Sequence, residues 1–265
     1  MQRFAIGIEF SGAHYRGWQT QQSGVISVQE TIEKVLSKVA NESIMLHGAG
    51  RTDAGVHATN MVAHFDSHAI RSIDGWLMGS NSQLPKDIAI LWIKAMDIEF
   101  HARFKAQARR YRYVVYNSSV RPALMHKQVT HVYCSLDIRK MMEAAKKFEG
   151  THNFESFRAT ACQSHQPVRT VSHCRLIQHG AYLVLDIQAD GFLHHMVRNI
   201  MGCLIEIGQG MYEINHIDTI FEAEDRKAAG VTAPADGLYF IHADYPERFE
   251  LPKRPLGPLW LNMPE

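Results

Sequence analysis

The sequence predicts an α+β fold made of two pseudo-duplicated subdomains, each a mainly antiparallel sheet flanked by helices. Three patterns carry this prediction. Residues 3–10 alternate at the period of a half-buried strand, residues 28–40 repeat apolar side chains at helical spacing, and residues 110–116 alternate again and open a second set of elements. Each half then follows the order strand, helix, strands, helix and strand.

This element order also sets the predicted domain boundaries. The chain has 265 residues, enough for one large or two small domains with an ample core. We place the first subdomain at 1–103 and the second at 104–245. An irregular tail at 246–265 follows, because it holds five prolines, which disfavour regular structure.

In the first half, the strand at 3–10 is followed by a capped helix. Ser27 and Glu30 have the spacing of a capping box, so the helix runs from about Val28 to Ala40. The glycine-rich stretch Gly48-Ala-Gly-Arg-Thr-Asp-Ala-Gly55 predicts a loop. Short strands are expected near 61–65 and 88–93.

The second half begins with a strand whose two faces differ. Tyr111 and Tyr113 share one face, and Arg110 and Arg112 share the other. The remaining elements follow from capping, turn and apolar patterns: a helix from Asp137 that ends at Gly150, a hairpin of 171–178 and 181–187, a buried helix at 194–207, a shorter helix at 214–221 and a strand at 237–243.

The charge is unevenly distributed along the chain. The net charge is +1, from 28 basic and 27 acidic residues, yet the stretch between Glu99 and Asp137 contains seven basic residues and no acidic one. The rest therefore carries 21 basic and 27 acidic residues. A one-sided positive field is typical of a surface that binds a polyanion, and a solvated basic loop is the alternative.

Composition and motifs exclude several classes of protein. No apolar run approaches the roughly 20 residues of a membrane span, and the N-terminus lacks the layout of a signal peptide. Four cysteines without C-x-x-C spacing predict reduced thiols in the cytoplasm. The sequence has neither a dinucleotide-binding fingerprint nor a P-loop.

A metal site is also not expected. Cys162, His165, His173 and Cys174 are candidate zinc ligands, but their spacing matches no common zinc module. His173 and Cys174 would also point to opposite faces of one strand.

The densest group of functional side chains is Arg51-Thr-Asp53-Ala-Gly-Val-His57. A carboxylate and a guanidinium stand close together in a loop whose glycines allow a substrate or another backbone to approach. By spacing alone, catalysis competes with a simpler role for Asp53 and its glycines in forming the turn.

Six further blocks resemble one enzyme family in the same order. They are Tyr15-Arg-Gly-Trp-Gln19, Asn81-Ser-Gln-Leu-Pro-Lys-Asp87, Phe100-His-Ala-Arg-Phe-Lys-Ala106 with Arg110-Tyr-Arg-Tyr113, Gly150-Thr-His-Asn-Phe-Glu-Ser-Phe157, Phe192-Leu-His-His-Met-Val-Arg198 and Ala233-Pro-Ala-Asp-Gly-Leu238. With Gly50-Arg-Thr-Asp-Ala-Gly-Val-His-Ala58, they resemble the tRNA pseudouridine synthase A family. Ser11 stands where that family usually has an aspartate.

The resemblance implies the pseudouridine synthase fold, with a catalytic cleft at the seam between the subdomains. It implies isomerisation of uridine to pseudouridine at tRNA positions 38, 39 and 40 of the anticodon stem-loop. Asp53 would be the nucleophile, acting at C1′ or by proton removal at C2′. Tyr111 would stack on the uracil, Arg198 would offset the carboxylate charge, and Arg51 would assist base flipping.

Physical arguments accompany two of these roles. A lone arginine on a buried helix is costly unless it is paired, so Arg198 either faces a carboxylate or lies at an exposed helix edge. For Tyr111 the alternative is simple packing within the sheet, which describes Tyr113 better.

The resemblance implies that the basic stretch binds tRNA. Arg103, Lys105, Arg109, Arg110 and Arg112 surround the Tyr111 strand and are expected to bind tRNA phosphates. It also implies a homodimer and no cofactor or metal. The alternatives are a non-catalytic tRNA-binding or tRNA-folding protein on the same fold, and a metal-dependent nuclease that uses Asp53 and His57.

Overall fold

The chain forms two compact units. In the computed structural model, which describes residues 1–21, 24–164 and 166–261, the first unit contains Met1–Gln107 and the segment that begins at Tyr239. The second unit contains Ala108–Leu238. His165 and the last four residues of the predicted tail lie outside the described residues.

The first unit contains antiparallel strands and, among the residues that the structure describes, two α-helices. Its elements are, in chain order, β1 (Gln2–Phe10), α1 (Val28–Ala40), β2 (His47–Gly48), β3 (His57–Ser67), α2 (Ile73–Asn81) and β4 (Ile88–Met96). Strand β1 lies between β3 and β4 and runs antiparallel to both. The short strand β2 pairs with β3, with His47 opposite His64.

Local sequence signals explain the two helices of this unit. At the start of α1, the Ser27 hydroxyl accepts a hydrogen bond from the amide of Glu30 at 3.3 Å, and the predicted helix bounds are confirmed. Helix α2 is the second helix of the predicted element order, for which no bounds were predicted because two glycines weaken its helical pattern. Its fully buried Trp76 packs on Phe4 and Phe65, with ring centroids 5.6 and 5.2 Å away.

The second unit contains mainly antiparallel strands and, among its described residues, three α-helices. Its elements are β5 (Ala108–Asn117), β6 (Thr130–Val132), α3 (Ile138–Lys146), β7 (Gly150–Asn153), β8 (Val168–His179), β9 (Tyr182–Ala189), α4 (Met196–Gly208) and α5 (His216–Ala223). The main strands follow the order β5-β9-β8-β7, all antiparallel, and β6 runs parallel to β5. The predicted α+β class is confirmed.

The chain returns to the first unit at its end, which corrects the predicted boundaries. Strand β10 (Leu238–Asp244) pairs in parallel with β3, with Tyr239 opposite His57. The irregular tail also packs on this unit, since Lys94 donates to the carbonyls of Phe249 and Glu250. The second unit therefore spans 108–238 rather than 104–245, because strand pairing, not element order, decides membership.

One smaller difference concerns the end of a helix. Helix α3 ends at Lys146, and Gly150 begins β7 at a φ of +104° instead of ending the helix. None of the helices in the described ranges is both long and apolar enough to cross a membrane.

A buried ion cluster holds β5 against β9 in the second unit. Asp186 on β9 lies opposite Arg112, whose Nε is 2.8 Å from Asp186 Oδ2. Arg110 Nε is 2.6 Å from Asp186 Oδ1. The side chains of Arg112 and Asp186 are each 1% exposed, so this carboxylate supplies charge compensation to a buried guanidinium group.

The electrostatics of the cluster favour an ionised carboxylate. Burial alone raises the pKa of Asp186, but the hydrogen bonds and charges of Arg110 and Arg112 outweigh burial and hold the pKa below its usual value. His173 Nε2 lies 3.7 Å from the same carboxylate, and burial lowers its pKa. The cluster is thus two guanidinium groups on one carboxylate, bordered by an imidazole.

We expect Asp186→Asn to lower the free energy of unfolding by about 3–5 kcal/mol, because two largely buried guanidinium groups lose their counter-charge. Chemical denaturation measures the change. Asp190→Asn is the matched control, since Asp190 is exposed and four residues away, and it should shift stability by less than about 1 kcal/mol.

The same substitution should alter the pH dependence. Because the folded pKa of Asp186 lies below the unfolded value of about 3.9, its contribution to stability is full above that value and is lost as the pH falls through the folded pKa. The stability gap between wild type and Asp186→Asn should therefore narrow below about pH 4. A gap that stays constant from pH 7 to pH 3 would contradict this assignment.

Candidate functional site

The loop that carries Asp53 connects β2 to β3 in the first unit. It leaves β2 alongside β3, where the amide of Ala49 donates to the carbonyl of Val62 at 2.8 Å. It then re-enters β3 through a turn in which the amide of Val56 donates to the carbonyl of Asp53 at 3.2 Å. Asp53 is half-buried and Arg51 is exposed. The carboxylate therefore sits on a short turn fixed at both ends by β3.

A second loop, residues 12–18, holds this turn by its backbone. The amide of Trp18 donates to the carbonyl of Thr52 at 3.1 Å, and the amide of Gly55 donates to the carbonyl of Tyr15 at 3.3 Å. A Cβ atom on Gly17 would lie 2.5 Å from the Thr52 oxygen, and one on Gly12 would lie 2.0 Å from the Val56 oxygen. The two loops approach this closely only because both positions are glycine.

His57, the first residue after the turn, binds the loop at 12–18. It is buried, and its Nδ1 accepts a hydrogen bond from the amide of Gly12 at 3.1 Å. Its ring stacks on Tyr239 of β10 with centroids 4.7 Å apart. This packing agrees with a structural role for His57.

Asp87, the last residue of the sequence block at 81–87, anchors the loop at 12–18 and the residue before it. The Tyr15 hydroxyl donates to Asp87 Oδ1 at 2.8 Å, and the amide of Ser11 donates to the Asp87 carbonyl at 2.9 Å. Burial, and then the hydrogen bond to Asp87, raise the pKa of Tyr15. Asp87 thus fixes the loop at 12–18, and that loop binds the turn that carries Asp53.

Tyr111 lies in the second unit, in the middle of β5. Its side chain is 8% exposed, and its ring meets the ring of Phe192 edge-on, with centroids 5.0 Å apart. Its neighbour in the register on β9 is Ile187, on the sheet face opposite to the one that carries the Asp186 cluster.

Arg198 is half-buried in the first turns of α4. Its Nε donates to the carbonyl of Ala233 at 2.9 Å, and its own carbonyl accepts from the amide of Ala233 at 3.1 Å. The following residue, Pro234, accepts a hydrogen bond from the hydroxyl of buried Tyr113 at 2.7 Å. Arg198 and Tyr113 therefore meet the same segment, on the sheet face that Tyr113 shares with Tyr111.

A polar network not anticipated from the sequence fixes that segment to α4. Buried Asn199 accepts from Arg226 Nη2 at 3.1 Å and from the Thr232 hydroxyl at 2.7 Å. A Cβ on Gly202 would lie 1.8 Å from the Val231 oxygen, so the segment crosses the helix at a glycine. The available sequence signal was the polar Asn199 inside a buried helix, which requires partners.

The five predicted phosphate-binding side chains have different surroundings. Arg103 is exposed and Lys105 half-buried, and Arg109 donates to the Asp190 carbonyl at 3.1 Å. Arg110 and Arg112 bind Asp186. The expectation for Arg112 is corrected, because a side chain that is 1% exposed cannot reach a phosphate.

Two of the candidate zinc ligands, His173 and Cys174, point to opposite faces of one strand, as the strand pattern predicts. His173 faces Asp186, whereas Cys174 is fully buried on the other face of β8. Burial raises the pKa of the Cys174 thiol, which disfavours the thiolate that a metal requires.

Comparison with known proteins now identifies the chain. A family profile described as tRNA pseudouridine synthase matches residues 6–105 and 144–246. The chain belongs to the tRNA pseudouridine synthase family. The matched ranges include Arg51, Asp53 and Arg198, and Tyr111 lies between them.

Two relatives of this tRNA pseudouridine synthase family member carry the same name. A protein of Acinetobacter baumannii strain AYE named tRNA pseudouridine synthase A is 78% identical over the full length of both chains. A Pseudomonas aeruginosa protein of the same name is 52% identical over 98% of this chain and 91% of its own. The crystal structure of a Cbf5-Nop10-Gar1 complex matches 89% of this chain and 48% of its own, at 11% identity and a TM-score of 0.38.

We expect Gly12→Ala to displace the Asp53 turn, because the added Cβ would overlap the Val56 carbonyl. Pseudouridine formation should fall at least tenfold while the chain stays folded, and thermal unfolding with a steady-state assay measures both. Gly79→Ala is the control, since its Cβ would make only ordinary contacts with Val39 at 3.6 Å. Full activity in Gly12→Ala would show that the close approach is dispensable.

Proposed function

We propose that the protein isomerises uridine to pseudouridine at positions 38, 39 and 40 in the anticodon stem-loop of tRNA, with Asp53 as nucleophile. The observation that carries the proposal is the full-length identity of 78% to a protein named tRNA pseudouridine synthase A. The clamped turn around Asp53 supports the assignment of the nucleophile. Hydrogen bonds from the loop at 12–18 fix the backbone of that turn, and the buried His57 binds the same loop.

The chemistry requires a fixed carboxylate. The reaction breaks the bond between uracil N1 and ribose C1′, turns the base and joins C5 to C1′. An ionised Asp53 can attack C1′ to give a covalent ester, or it can remove the C2′ proton to give a glycal, and both routes are redox-neutral. Preorganisation matters because the detached uracil must remain in place until C5 bonds.

Three further residues are proposed for the reaction. Tyr111 stacks on the uracil and its phenol takes part in the exchange of the C5 proton, which suits a ring held edge-on by Phe192. Arg198 supplies the cation that an ionised carboxylate needs when water is excluded. Exposed Arg51 enters the RNA stack when the target nucleotide leaves it.

Phosphate binding is proposed for Arg103, Lys105 and Arg109, with a partial contribution from Arg110. Arg110 is 20% exposed and already shares Asp186, so it would bind a phosphate only through its outer edge. The proposal further includes a homodimer located in the cytoplasm, where its tRNA substrate is found, and a reaction without cofactor or metal.

Incubation with unmodified tRNA should produce pseudouridine in the anticodon arm, and Asp53→Asn should reduce the rate by at least about 10²- to 10⁴-fold because the carboxylate is lost. Mapping of pseudouridine by chemical modification and primer extension measures this. Asp74→Asn, which alters an exposed carboxylate of the same unit, should retain the wild-type rate.

The same experiment separates the alternatives. Wild-type protein that binds tRNA but forms no pseudouridine would support the non-catalytic tRNA-binding protein. Full turnover in Asp53→Asn would refute the nucleophile assignment. RNA cleavage that stops in a chelator would support the metal-dependent nuclease.

The proposed phosphate contacts predict a change in salt dependence. Arg103→Ala and Lys105→Ala should each reduce the slope of log binding constant against log salt by about 0.7–0.9, the value for one phosphate contact. Titrations of tRNA at several salt concentrations measure the slope. Arg139→Ala removes an exposed charge outside the acid-free stretch and should leave the slope unchanged. Equal slopes in all four proteins would contradict the assignment.

A further inference from the structure

An exposed aromatic ring stands out on the first unit. Phe104 is 74% exposed, although it lies in a short turn between Phe100 and β5. Its ring contacts the ring of His101, with centroids 4.3 Å apart and planes inclined by 34°. The Arg103 guanidinium carbon lies 5.7 Å from the centroid of the Phe104 ring. A large apolar ring is thus presented to solvent next to a cation and an imidazole.

Hydrogen bonds fix the backbone of the turn that carries this ring. His101 Nδ1 accepts hydrogen bonds from the amides of Arg103 and Phe104 at 3.2 and 3.3 Å. The His101 carbonyl accepts from the amide of Lys105 at 3.0 Å. The turn is therefore closed around the imidazole, and its backbone loses little freedom when a partner covers Phe104.

Below the turn, His101 rests on two more imidazoles. Its ring centroid lies 4.5 Å from that of His64 and 5.6 Å from that of His47. Buried His64 accepts from the amide of Ala102 at 3.2 Å. Burial, followed by the charges of His101, Arg3 and His47, lowers the pKa of His64 to about 3. At neutral pH the base of this stack is an uncharged aromatic ring.

The charge around Phe104 favours a nucleic acid over a protein partner. Arg103 and Lys105 flank the ring in sequence, and residues 100–136 contain no acidic side chain. Protein interfaces are depleted of charge at their centre, and Lys is among the depleted residues. Proteins that bind single-stranded nucleic acid instead combine exposed aromatic rings with cations that follow the phosphates.

We propose that Phe104 and His101 form a stacking platform for an unpaired nucleobase of tRNA, with Arg103 and Lys105 at the adjoining phosphates. The inference rests on the proposed function, because it takes tRNA as the partner. The base is not the target uridine. His64, beneath the platform, is seven residues along β3 from His57, which supports the Asp53 turn, and seven strand residues span roughly 23 Å.

The test is tRNA binding by Phe104→Ala and Phe104→Trp. Because one stacked base is lost, Phe104→Ala should raise the dissociation constant for unmodified tRNA by about 5- to 150-fold. Phe104→Trp should restore the affinity. The salt slope of Phe104→Ala should match that of wild type, because stacking releases no counterions. Ile70→Ala, which truncates another exposed apolar side chain of this unit, is the matched control and should bind like wild type.

Two results would overturn the platform. One is binding of Phe104→Ala within twofold of wild type. The other is a change in oligomeric state, measured by sedimentation, that accounts for any loss of affinity, since Phe104 would then contact a second copy of the chain. Thermal unfolding shows whether each variant is folded, and Phe104→Trp retains a test if Ala destabilises the turn.

The platform and the proposed function fail in distinguishable ways. Pseudouridine formation by wild type together with tight tRNA binding by Phe104→Ala removes the platform alone. Phe104-dependent binding without pseudouridine formation removes the catalytic proposal alone. Absence of tRNA binding by wild type removes both.

Discussion

The close approach of two backbone segments in the first unit is the constraint on which the candidate catalytic centre depends. Residues 12–18 contact the turn at 52–57 through amide-to-carbonyl hydrogen bonds, and glycines at 12 and 17 leave no space for side chains between them. Peptide groups are stiff, so a carboxylate held this way is placed more accurately than one on a free loop. Tyr15, Asp87 and His57 extend the same support outward.

In the second unit, hydrogen bonds and a close backbone approach likewise fix the segment that contacts Arg198. The segment 231–237 is bonded to Arg198, to Tyr113 and, through the amide of Val114, to β5. Asn199 fixes the segment to α4, and Gly202 lets it pass close to the helix. On the other sheet face, the Asp186 cluster joins β5 to β9 on either side of Tyr111. Each proposed reactive side chain thus has support from buried polar groups that take no part in the chemistry.

Local patterns predicted most of the fold, and long-range pairing limited the rest. The bounds of α1 followed from Ser27 and Glu30, which act within one helical turn. Alternation showed that Arg110 and Arg112 share a face, but the partner that buries Arg112 is Asp186, 74 residues later. Periodicity shows which residues share a face of the sheet, but it does not show which residues cover that face. The phosphate role predicted for Arg112 was wrong because Asp186 covers its side chain.

The unit to which β10 belongs was missed for the same reason, and the pairing of β10 has a consequence for biosynthesis. The turn that carries Asp53 rests on His57, and His57 stacks on Tyr239, which the ribosome adds 182 residues later. The first unit is therefore made from chain segments on both sides of the second unit. The intervening unit at 108–238 is synthesised before the strand that follows it can pair with β3. A nascent chain interrupted before Tyr239 would carry the whole Asp53 motif and lack the ring that stacks on His57, so the support of the reactive turn is completed only after the second unit has been made.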